Sequence, residues 1–203
     1  MLVEHNESER REIASLTKIM TAYTVITICN TYGIRVREHK ITILQQASYM
    51  EGTSANLRVD EEILIIDLLY GLLLPSGNDA AVALAQYFGK FLSFKFAKDN
   101  ETSDRYESSM ERFRSYKDFY DSNYQRDSIR LFVFEMNKNS HKIGLNNTHF
   151  ANPTGLSNAN NYSTVKDLAL LTAHCLKNHL MREIFRKKLY TCIVVNEKLS
   201  YTR

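Results

Sequence analysis

The chain has 203 residues, and its 26 Lys and Arg against 23 Asp and Glu give a net charge of +3. That surplus is too small for a nucleic-acid binder, whose domain has a clustered basic face and a pI above about 9. The 44% hydrophobic and 24% charged fractions exclude disorder, collagen and a coiled coil as descriptions of the whole chain, and the scarcity of Gly and Pro favours helix.

The first part of the chain predicts one long helix followed by irregular segments. Apolar side chains recur at three- and four-residue steps over residues 13–29, a period typical of a helix with one buried face. The longest uncharged stretch, residues 19–34, is too short and too rich in Thr and Asn to span a bilayer, so no transmembrane segment is expected. Residues 41–47 are a short mixed segment, and residues 51–56 should form a polar loop.

Two further helices are predicted around a Pro-Ser-Gly turn. The acidic run at residues 59–62 should open the first, because acidic side chains are stabilised at a helix N-terminus. Its apolar continuation over residues 63–74 should be deeply buried, and Pro75 should end it. Asn78 should cap the next helix, residues 79–88, whose Ala-rich sequence favours helix and close packing.

Residues 89–128 differ in composition from the rest of the chain. They are rich in aromatic side chains and in charges of both signs, and we interpret them as a solvated insertion into a single domain that spans residues 1–203. The alternative is a surface that binds a partner. One amphipathic helix within the segment is predicted from the spacing of Met110, Phe113, Lys117, Tyr120 and Tyr124.

The C-terminal part predicts two helices, a loop between them and a strand. Residues 129–143 should be helical, and the Asn-rich residues 146–161 should form the loop. Thr164 and Asp167 have the spacing of a capping box at the start of the second helix, and residues 189–195 are β-prone. The apolar face of the second helix is predicted to comprise Leu168, Leu171, Ala173 and Leu176.

Ser15 and Lys18 form the first candidate catalytic element. Their spacing on a helix places a hydroxyl and an amine on one face, one turn apart. A serine hydroxyl is a poor nucleophile near neutral pH and needs a base within hydrogen-bond reach, and a lysine can serve as that base only if burial or a nearby cation lowers its pKa. The pair alone is weak evidence for catalysis, because Ser163 and Lys166 have the same spacing.

Ser76 and Asn78 form the second candidate element. They lie in the predicted turn between two apolar helices, where a turn can present polar side chains to a cleft. The simpler interpretation is a helix break with an Asn cap, and residues 54–56 carry the same Ser-x-Asn pattern. The histidines show no zinc-ligand spacing and no Gly-rich phosphate loop is present, so neither a metal nor a cofactor is expected.

Four sequence blocks in a fixed order place these residues in a family context. They occupy residues 14–22, 69–81, 144–156 and 161–169. In that order they contain the motifs Ser-Leu-Thr-Lys, Pro-Ser-Gly-Asn-Asp, Ala-Asn-Pro-Thr-Gly-Leu and Tyr-Ser-Thr-Val-Lys-Asp. Over most of residues 12–186, apart from the insertion, the chain closely resembles the D-alanyl-D-alanine carboxypeptidases, the low-molecular-mass penicillin-binding serine peptidases. In that family the last block is a structural helix start, which removes Ser163 and Lys166 from the candidates.

The resemblance implies a fold and a role for each candidate residue. The fold would be the β-lactamase/transpeptidase-like α/β (α+β) fold, represented here mostly by its helical subdomain. Ser15 looks like the nucleophile that is acylated by the carbonyl of the penultimate D-Ala, and Lys18 like the base that takes its proton. Ser76 looks like the relay that passes a proton to the departing D-Ala amine, and Asn78 like the group that binds the substrate amide and helps orient Lys18.

The same resemblance implies partners and a compartment. The expected substrate is a peptidoglycan stem peptide that ends in D-Ala-D-Ala, and β-lactams are expected to acylate the same serine as slowly released inhibitors. The family works outside the cytoplasm, although the charged N-terminus lacks the apolar core of a signal peptide.

Two departures from the family pattern lower the expected activity. The family's third motif, Lys-Thr-Gly on a core strand, has no match after Lys166, and Ile13 stands where the family commonly has Pro. That strand supplies carboxylate recognition and part of the oxyanion hole, so the chain is expected to be a fragment or an incomplete gene model that lacks most of the sheet. It should be marginally stable alone and have weak or no peptidase activity.

Two alternatives to a carboxypeptidase remain open on the sequence. A β-lactamase of the same fold would need a deacylating group such as the glutamate of a Glu-x-x-Leu-Asn block, and the chain has none. A non-catalytic homologue that acts as a binding module is favoured by the missing third motif, and its interaction surface would be residues 89–128. A stable penicillin adduct, rapid drug hydrolysis or neither would separate the three hypotheses.

Overall fold

The structure is a computed structural model that describes residues 5–100, 122–195 and 200–202. A single turn of 3₁₀ helix, Ala14–Leu16, leads directly into the first α-helix. The α-helices are α1 (Thr17–Tyr32), α2 (Gln45–Ser48), α3 (Ile65–Leu73), α4 (Asn78–Asn100), α5 (Ser122–Lys142), α6 (Val165–Lys177) and α7 (His179–Arg186).

Six short strands pair into three antiparallel two-stranded sheets within these described ranges. Each sheet joins segments that flank helices, so it fixes the entry and exit of those helices rather than forming a layer. The pairs are β1 (Arg11–Glu12) with β4 (Tyr162–Ser163), β2 (Lys40–Thr42) with β3 (Glu62–Leu64), and β5 (Ile193–Val195) with β6 (Ser200–Thr202).

Helix α1 lies at the centre of the core. It packs against α3, α4, α5 and α6, and side chains around most of its circumference are buried, among them Met20 and Val25. A helix that is buried all round needs neighbours on every side, which explains why four helices surround α1. The long pair α4 and α5 packs along one side of this core.

Several sequence predictions are confirmed. The predicted helix over residues 13–29 is present as the 3₁₀ turn and α1, and the breaks at residues 51–56 and 75–77 are irregular. At the start of α6, the backbone N–H of Asp167 donates to Oγ1 of Thr164 at 3.1 Å, which is the predicted capping contact.

The prediction that residues 59–62 open a helix is wrong. Glu62 lies in β3, opposite Thr42 of β2, and α3 begins only at Ile65. The carboxylate of Glu61 is turned inward, where it accepts the backbone N–H of Arg58 at 3.0 Å. Pairing with a strand about 20 residues earlier in the chain overrides the local preference of acidic residues for a helix N-terminus.

The third predicted helix is longer than expected and begins differently. Helix α4 runs from Asn78 through to Asn100, not to Phe88, and the side-chain amide of Asn78 donates to the Glu51 carbonyl at 2.7 Å instead of capping the helix. The interval interpreted as an insertion is therefore helical at both ends, in α4 and α5. Of the five residues given for its internal helix, Tyr124 lies in α5, and Met110, Phe113, Lys117 and Tyr120 lie outside the described residues.

Two C-terminal predictions need correction. The buried residues of α6 are Asp167, Leu171 and Cys175, whereas Ala173 and Leu176 are exposed, because the contacts of α6 with α1 and α7 cover other side chains of the helix. The β-prone segment 189–195 forms a strand only over Ile193–Val195.

We expect Gly89→Ala to destabilise the protein, although the residue lies within a helix. An alanine Cβ at this position would lie 1.8 Å from the Ser128 carbonyl oxygen, so α4 and α5 would have to separate. Glycine to alanine normally stabilises an exposed helix by about 1 kcal/mol, but here overpacking should lower the unfolding free energy by about 1–3 kcal/mol. Urea denaturation would measure the change, and an increase in stability would contradict the close approach.

Candidate active site

Ser15 and Lys18 are brought together where the 3₁₀ turn passes into α1. The Nζ atom of Lys18 lies 3.0 Å from Oγ of Ser15, within hydrogen-bond distance. Ser15 is exposed at the surface, whereas the Lys18 side chain is only 2% exposed. A hydroxyl that a ligand can reach thus stands directly against a buried amine.

Burial changes the protonation of Lys18. Desolvation lowers the pKa of its amine from 10.5 to about 8, and the carboxylate of Asp79 opposes part of that shift through its negative charge. A pKa of about 8 leaves about a tenth of the amine neutral at pH 7, compared with about 0.03% for the ordinary value. A neutral amine has a free lone pair, so Lys18 can accept the Ser15 proton.

A loop from the C-terminal half of the chain orients the Lys18 amine. Its Nζ also donates to the backbone carbonyl of Thr154 at 2.7 Å. The loop at residues 152–156 is folded around Asn152, whose Oδ1 accepts the backbone N–H of Gly155 at 2.7 Å. Thr21 of α1 donates to the carbonyl of Pro153 at 2.8 Å. The loop is therefore attached to the same helix face that carries Lys18.

Gly155 allows this loop to approach the 3₁₀ turn that carries Ser15. A Cβ on Gly155 would lie 1.9 Å from the Ala14 carbonyl oxygen and 3.0 Å from the Ser15 nitrogen. Ala14 itself has a φ of 45°, a left-handed conformation that costs a non-glycine residue about 1 kcal/mol or more. The backbone strain next to Ser15 is thus held in place by a contact that only glycine permits.

Ser76 and Asn78 lie in the turn between α3 and α4. Ser76 is half-buried and has a φ of 61°, so it too is strained. Its carbonyl accepts Oγ1 of Thr53 at 2.5 Å, and the Asn78 backbone N–H donates to the Thr53 carbonyl at 2.7 Å. In the part of the chain that the structure describes, no hydrogen bond joins Ser76 or Asn78 to Ser15 or Lys18, and the Asn78 amide donates to Glu51.

The sequence predicts no role for three groups that contribute to this site. They are the Thr154 carbonyl, Gly155 and the carboxylate of Asp79. A backbone carbonyl carries no sequence signal, and Asp79 resembles an ordinary acidic residue in the first turn of a helix. Gly155 lies in the sequence block at residues 144–156, so membership of that block could have indicated its importance.

A cavity lies beside α3, and its lining includes Pro75 but none of the candidate residues. It has a volume of about 600 Å³ and is also bordered by the 54–58 loop and residues 188–192. There Tyr190 donates to Asp67 at 2.6 Å and stacks on Tyr70, which attaches the C-terminal segment to α3. The Ser15 region remains the candidate active site, because there a hydroxyl lies within hydrogen-bond distance of a buried amine.

Within the described residues, no cluster of three or more His, Cys, Asp or Glu side chains could hold a metal ion. No helix that the structure describes has the length and apolar character needed to cross a membrane.

Comparison with known proteins gives consistent matches. A family model described as D-alanyl-D-alanine carboxypeptidase matches residues 1–91 and 124–202. A D-alanyl-D-alanine carboxypeptidase of Streptomyces sp. (strain K15) is 31% identical over 194 residues, which cover 93% of this chain. The D-alanyl-D-alanine carboxypeptidase DacF of Bacillus subtilis (strain 168) is 29% identical over 177 residues, or 87% of this chain.

Solved structures show the same likeness in three dimensions. The crystal structure of the Streptomyces K15 DD-transpeptidase superimposes with a TM-score of 0.77 at 29% identity and covers the whole of this chain. The D-alanyl-D-alanine carboxypeptidase DacD from Francisella tularensis gives a TM-score of 0.69 at 28% identity over 95% of this chain. The fold is therefore that of the DD-peptidases.

The chain covers only part of these proteins. It spans 54% of the Streptomyces K15 carboxypeptidase sequence, 36% of DacF and 66% of the K15 transpeptidase structure. The matched parts include all four sequence blocks, and residues 92–123 fall between the two stretches that fit the family model.

Proposed function

The chain belongs to the D-alanyl-D-alanine carboxypeptidase family, and we propose that it acts as a serine acyl-transfer protein on peptides that end in D-Ala-D-Ala. The observation that carries the proposal is the 3.0 Å contact between the exposed hydroxyl of Ser15 and the buried amine of Lys18. Family membership supports the substrate class, and the geometry supports Ser15 as the nucleophile and Lys18 as its base.

The proposed first step transfers a proton and forms an ester. Neutral Lys18 accepts the proton of the Ser15 hydroxyl, and Oγ attacks the carbonyl carbon of the penultimate D-Ala. The tetrahedral intermediate then collapses, so that the peptide C–N bond breaks and an acyl-serine ester forms. The terminal D-Ala leaves as an amine and needs one proton, which is the proton that Lys18 took from Ser15.

Ser76 and Asn78 have supporting roles in this proposal. Ser76 would pass the proton from Lys18 to the departing amine, and Asn78 would bind the substrate amide. Both lie in a turn held by backbone hydrogen bonds, which favours a fixed placement of their side chains. Because neither is bonded to Ser15 or Lys18 in the described residues, the proton relay would be completed by the bound substrate.

A carboxypeptidase homologue is favoured over a β-lactamase by the absence of a Glu-x-x-Leu-Asn block in the 203 residues. Without a dedicated base for deacylation, a penicilloyl ester on Ser15 should be hydrolysed slowly. A β-lactam would therefore accumulate as a covalent adduct and not be turned over.

Mass spectrometry after incubation with benzylpenicillin tests the proposal. We expect a mass increase of one penicillin per chain, located on the peptide that contains Ser15, and no increase in Ser15→Ala. Absence of an adduct on correctly folded protein would overturn the proposed function. Peptidase activity of the 203-residue chain should be weak, because the Lys-Thr-Gly motif is absent from its sequence, and a D-Ala release assay would measure it.

We expect the rate of Ser15 acylation to follow the titration of Lys18. With a pKa of about 8, the neutral base increases about tenfold per pH unit below pH 7 and stops increasing above about pH 9. The second-order rate constant for a fluorescent penicillin, measured from pH 6 to 10, should therefore rise and level off with a midpoint near 8. A midpoint above 10 would show that Lys18 is not desolvated in solution, and a flat profile would exclude it as the base.

A further inference from the structure

Asp79 carries a set of contacts that the proposed reaction does not use. Its side chain is 1% exposed. Oδ1 accepts the backbone N–H groups of Ala55 at 2.9 Å and Ala80 at 2.8 Å, and Oδ2 accepts the Ser54 hydroxyl at 2.6 Å and the Leu57 N–H at 3.1 Å. Four donors match an ionised carboxylate, which only accepts hydrogen bonds.

Three of these donors belong to the loop at residues 51–57, and the same loop holds the Ser76–Asn78 turn. Thr53 contacts both ends of that turn, through the Ser76 carbonyl and the Asn78 N–H. The turn also packs closely against Asp79, because a Cβ on Gly77 would lie 2.6 Å from Oδ1 of Asp79. A change at Asp79 would therefore move the loop and, through Thr53, the turn.

The charge of Asp79 also reaches Lys18. Burial lowers the pKa of the Lys18 amine, and the negative charge of Asp79 raises it by a smaller amount. The other neighbours of that amine, the Ser15 hydroxyl on the 3₁₀ turn and the Thr154 carbonyl on the 152–156 loop, are uncharged. A negative charge at Asp79 favours the ammonium form and limits how far burial can neutralise Lys18.

We propose that Asp79 is a positioning residue for acylation of Ser15: its carboxylate anchors the 51–57 loop, and that loop fixes the Ser76–Asn78 turn. The assignment of a catalytic purpose to these contacts rests on the proposed function, whereas the effect on the Lys18 charge does not. Asp79 itself touches neither nucleophile nor base through a hydrogen bond.

The test is Asp79→Asn with two readouts. The first is an NMR titration of the ¹³Cε signal of Lys18, which needs no substrate. Removal of the negative charge should move the midpoint below the value of the unmodified chain. The second is the high-pH plateau of the penicillin acylation rate, which should fall about tenfold or more, because an amide cannot accept four donors and the turn would shift.

Asp67→Asn is the matched control. It makes the same chemical change at a half-buried aspartate on the neighbouring helix α3, where Tyr190 is the partner. We expect it to leave both the Lys18 midpoint and the acylation plateau as they are in the unmodified chain. An equal loss of the acylation plateau in both variants would overturn the specific role of Asp79, as would an unchanged plateau in Asp79→Asn.

Two further variants keep the proposal testable if Asp79→Asn does not fold. Thr53→Val removes the donor to Ser76, and Ser54→Ala removes one donor to Asp79, while the carboxylate stays in place. Both should lower the acylation plateau several-fold without moving the Lys18 midpoint, and unchanged plateaus would overturn the positioning role. If the unmodified chain forms no adduct, the proposed function fails, and the Lys18 titration still decides whether Asp79 controls that charge.

Discussion

Lys18→Met should lower the rate constant for acylation of Ser15 by a penicillin by about 10²–10⁴-fold at pH 8, the range typical for loss of a general base. Methionine has a similar length and fills the same buried space, but its thioether sulfur is far too weakly basic to take the Ser15 proton. The contact of 3.0 Å between the two side chains would be lost without opening a cavity. The time course of adduct formation, followed by mass spectrometry, measures the effect.

The second Ser-x-x-Lys in the chain supplies the control. Lys166→Met makes the same substitution at an exposed lysine whose preceding serine, Ser163, is buried and paired with Thr148. We expect its acylation rate to equal that of the unmodified chain. Retention of more than a tenth of the rate in Lys18→Met would remove this residue from the mechanism.

Stability measurements can show that Lys18→Met loses activity and not the fold. The substitution relieves the burial of a charge but leaves the Thr154 carbonyl without its donor, so we expect the net change in unfolding free energy to be below about 2 kcal/mol at pH 7. Between pH 8 and 10.5 the unfolded lysine holds its proton while the folded one does not. The unmodified chain should therefore gain stability relative to Lys18→Met as the pH rises through that window.

Gly155→Ala should destabilise the protein and disable the site together. The new methyl group would overlap the Ala14 carbonyl oxygen at 1.9 Å, and the residue has a φ of 82° that disfavours alanine. We expect the unfolding free energy to fall by about 2–4 kcal/mol and the acylation rate to fall about tenfold or more, because Ser15 would move relative to Lys18. Denaturation and penicillin-binding assays measure the two effects.

Gly144→Ala separates backbone strain from this clash. Gly144 has the same φ of 82°, but its nearest atom to a new Cβ is Cδ2 of Leu170 at 3.8 Å, which is an ordinary contact. We expect a loss of about 1 kcal/mol from strain alone and a normal acylation rate. Equal losses of stability and of acylation rate in the two alanine variants would mean that the approach of Gly155 to Ala14 does not constrain the 3₁₀ turn that carries Ser15.

Where sequence prediction succeeded, the signal was local. The Thr164–Asp167 capping contact and the one-turn spacing of Ser15 and Lys18 follow from helix geometry, which involves residues three or four apart. The prediction that the acidic run at 59–62 opens a helix was wrong because the deciding contact is distant in sequence. The run ends in β3, whose partner β2 lies about 20 residues earlier, and such pairing leaves no periodic mark on a short segment.

The sequence by itself determined the family, the order of its motifs and the choice of Ser15 and Lys18, because residue identity and short spacing are all that these require. Only the tertiary structure decided that the Lys18 amine is buried against the Ser15 hydroxyl, which is the arrangement that supports our proposal of Lys18 as the base. Its pKa depends on burial among helices distant in sequence and on the charge of Asp79, and its orientation depends on a carbonyl 136 residues away. Desolvation and long-range hydrogen bonds arise only when the chain is folded, so no reading of neighbouring residues could have supplied them.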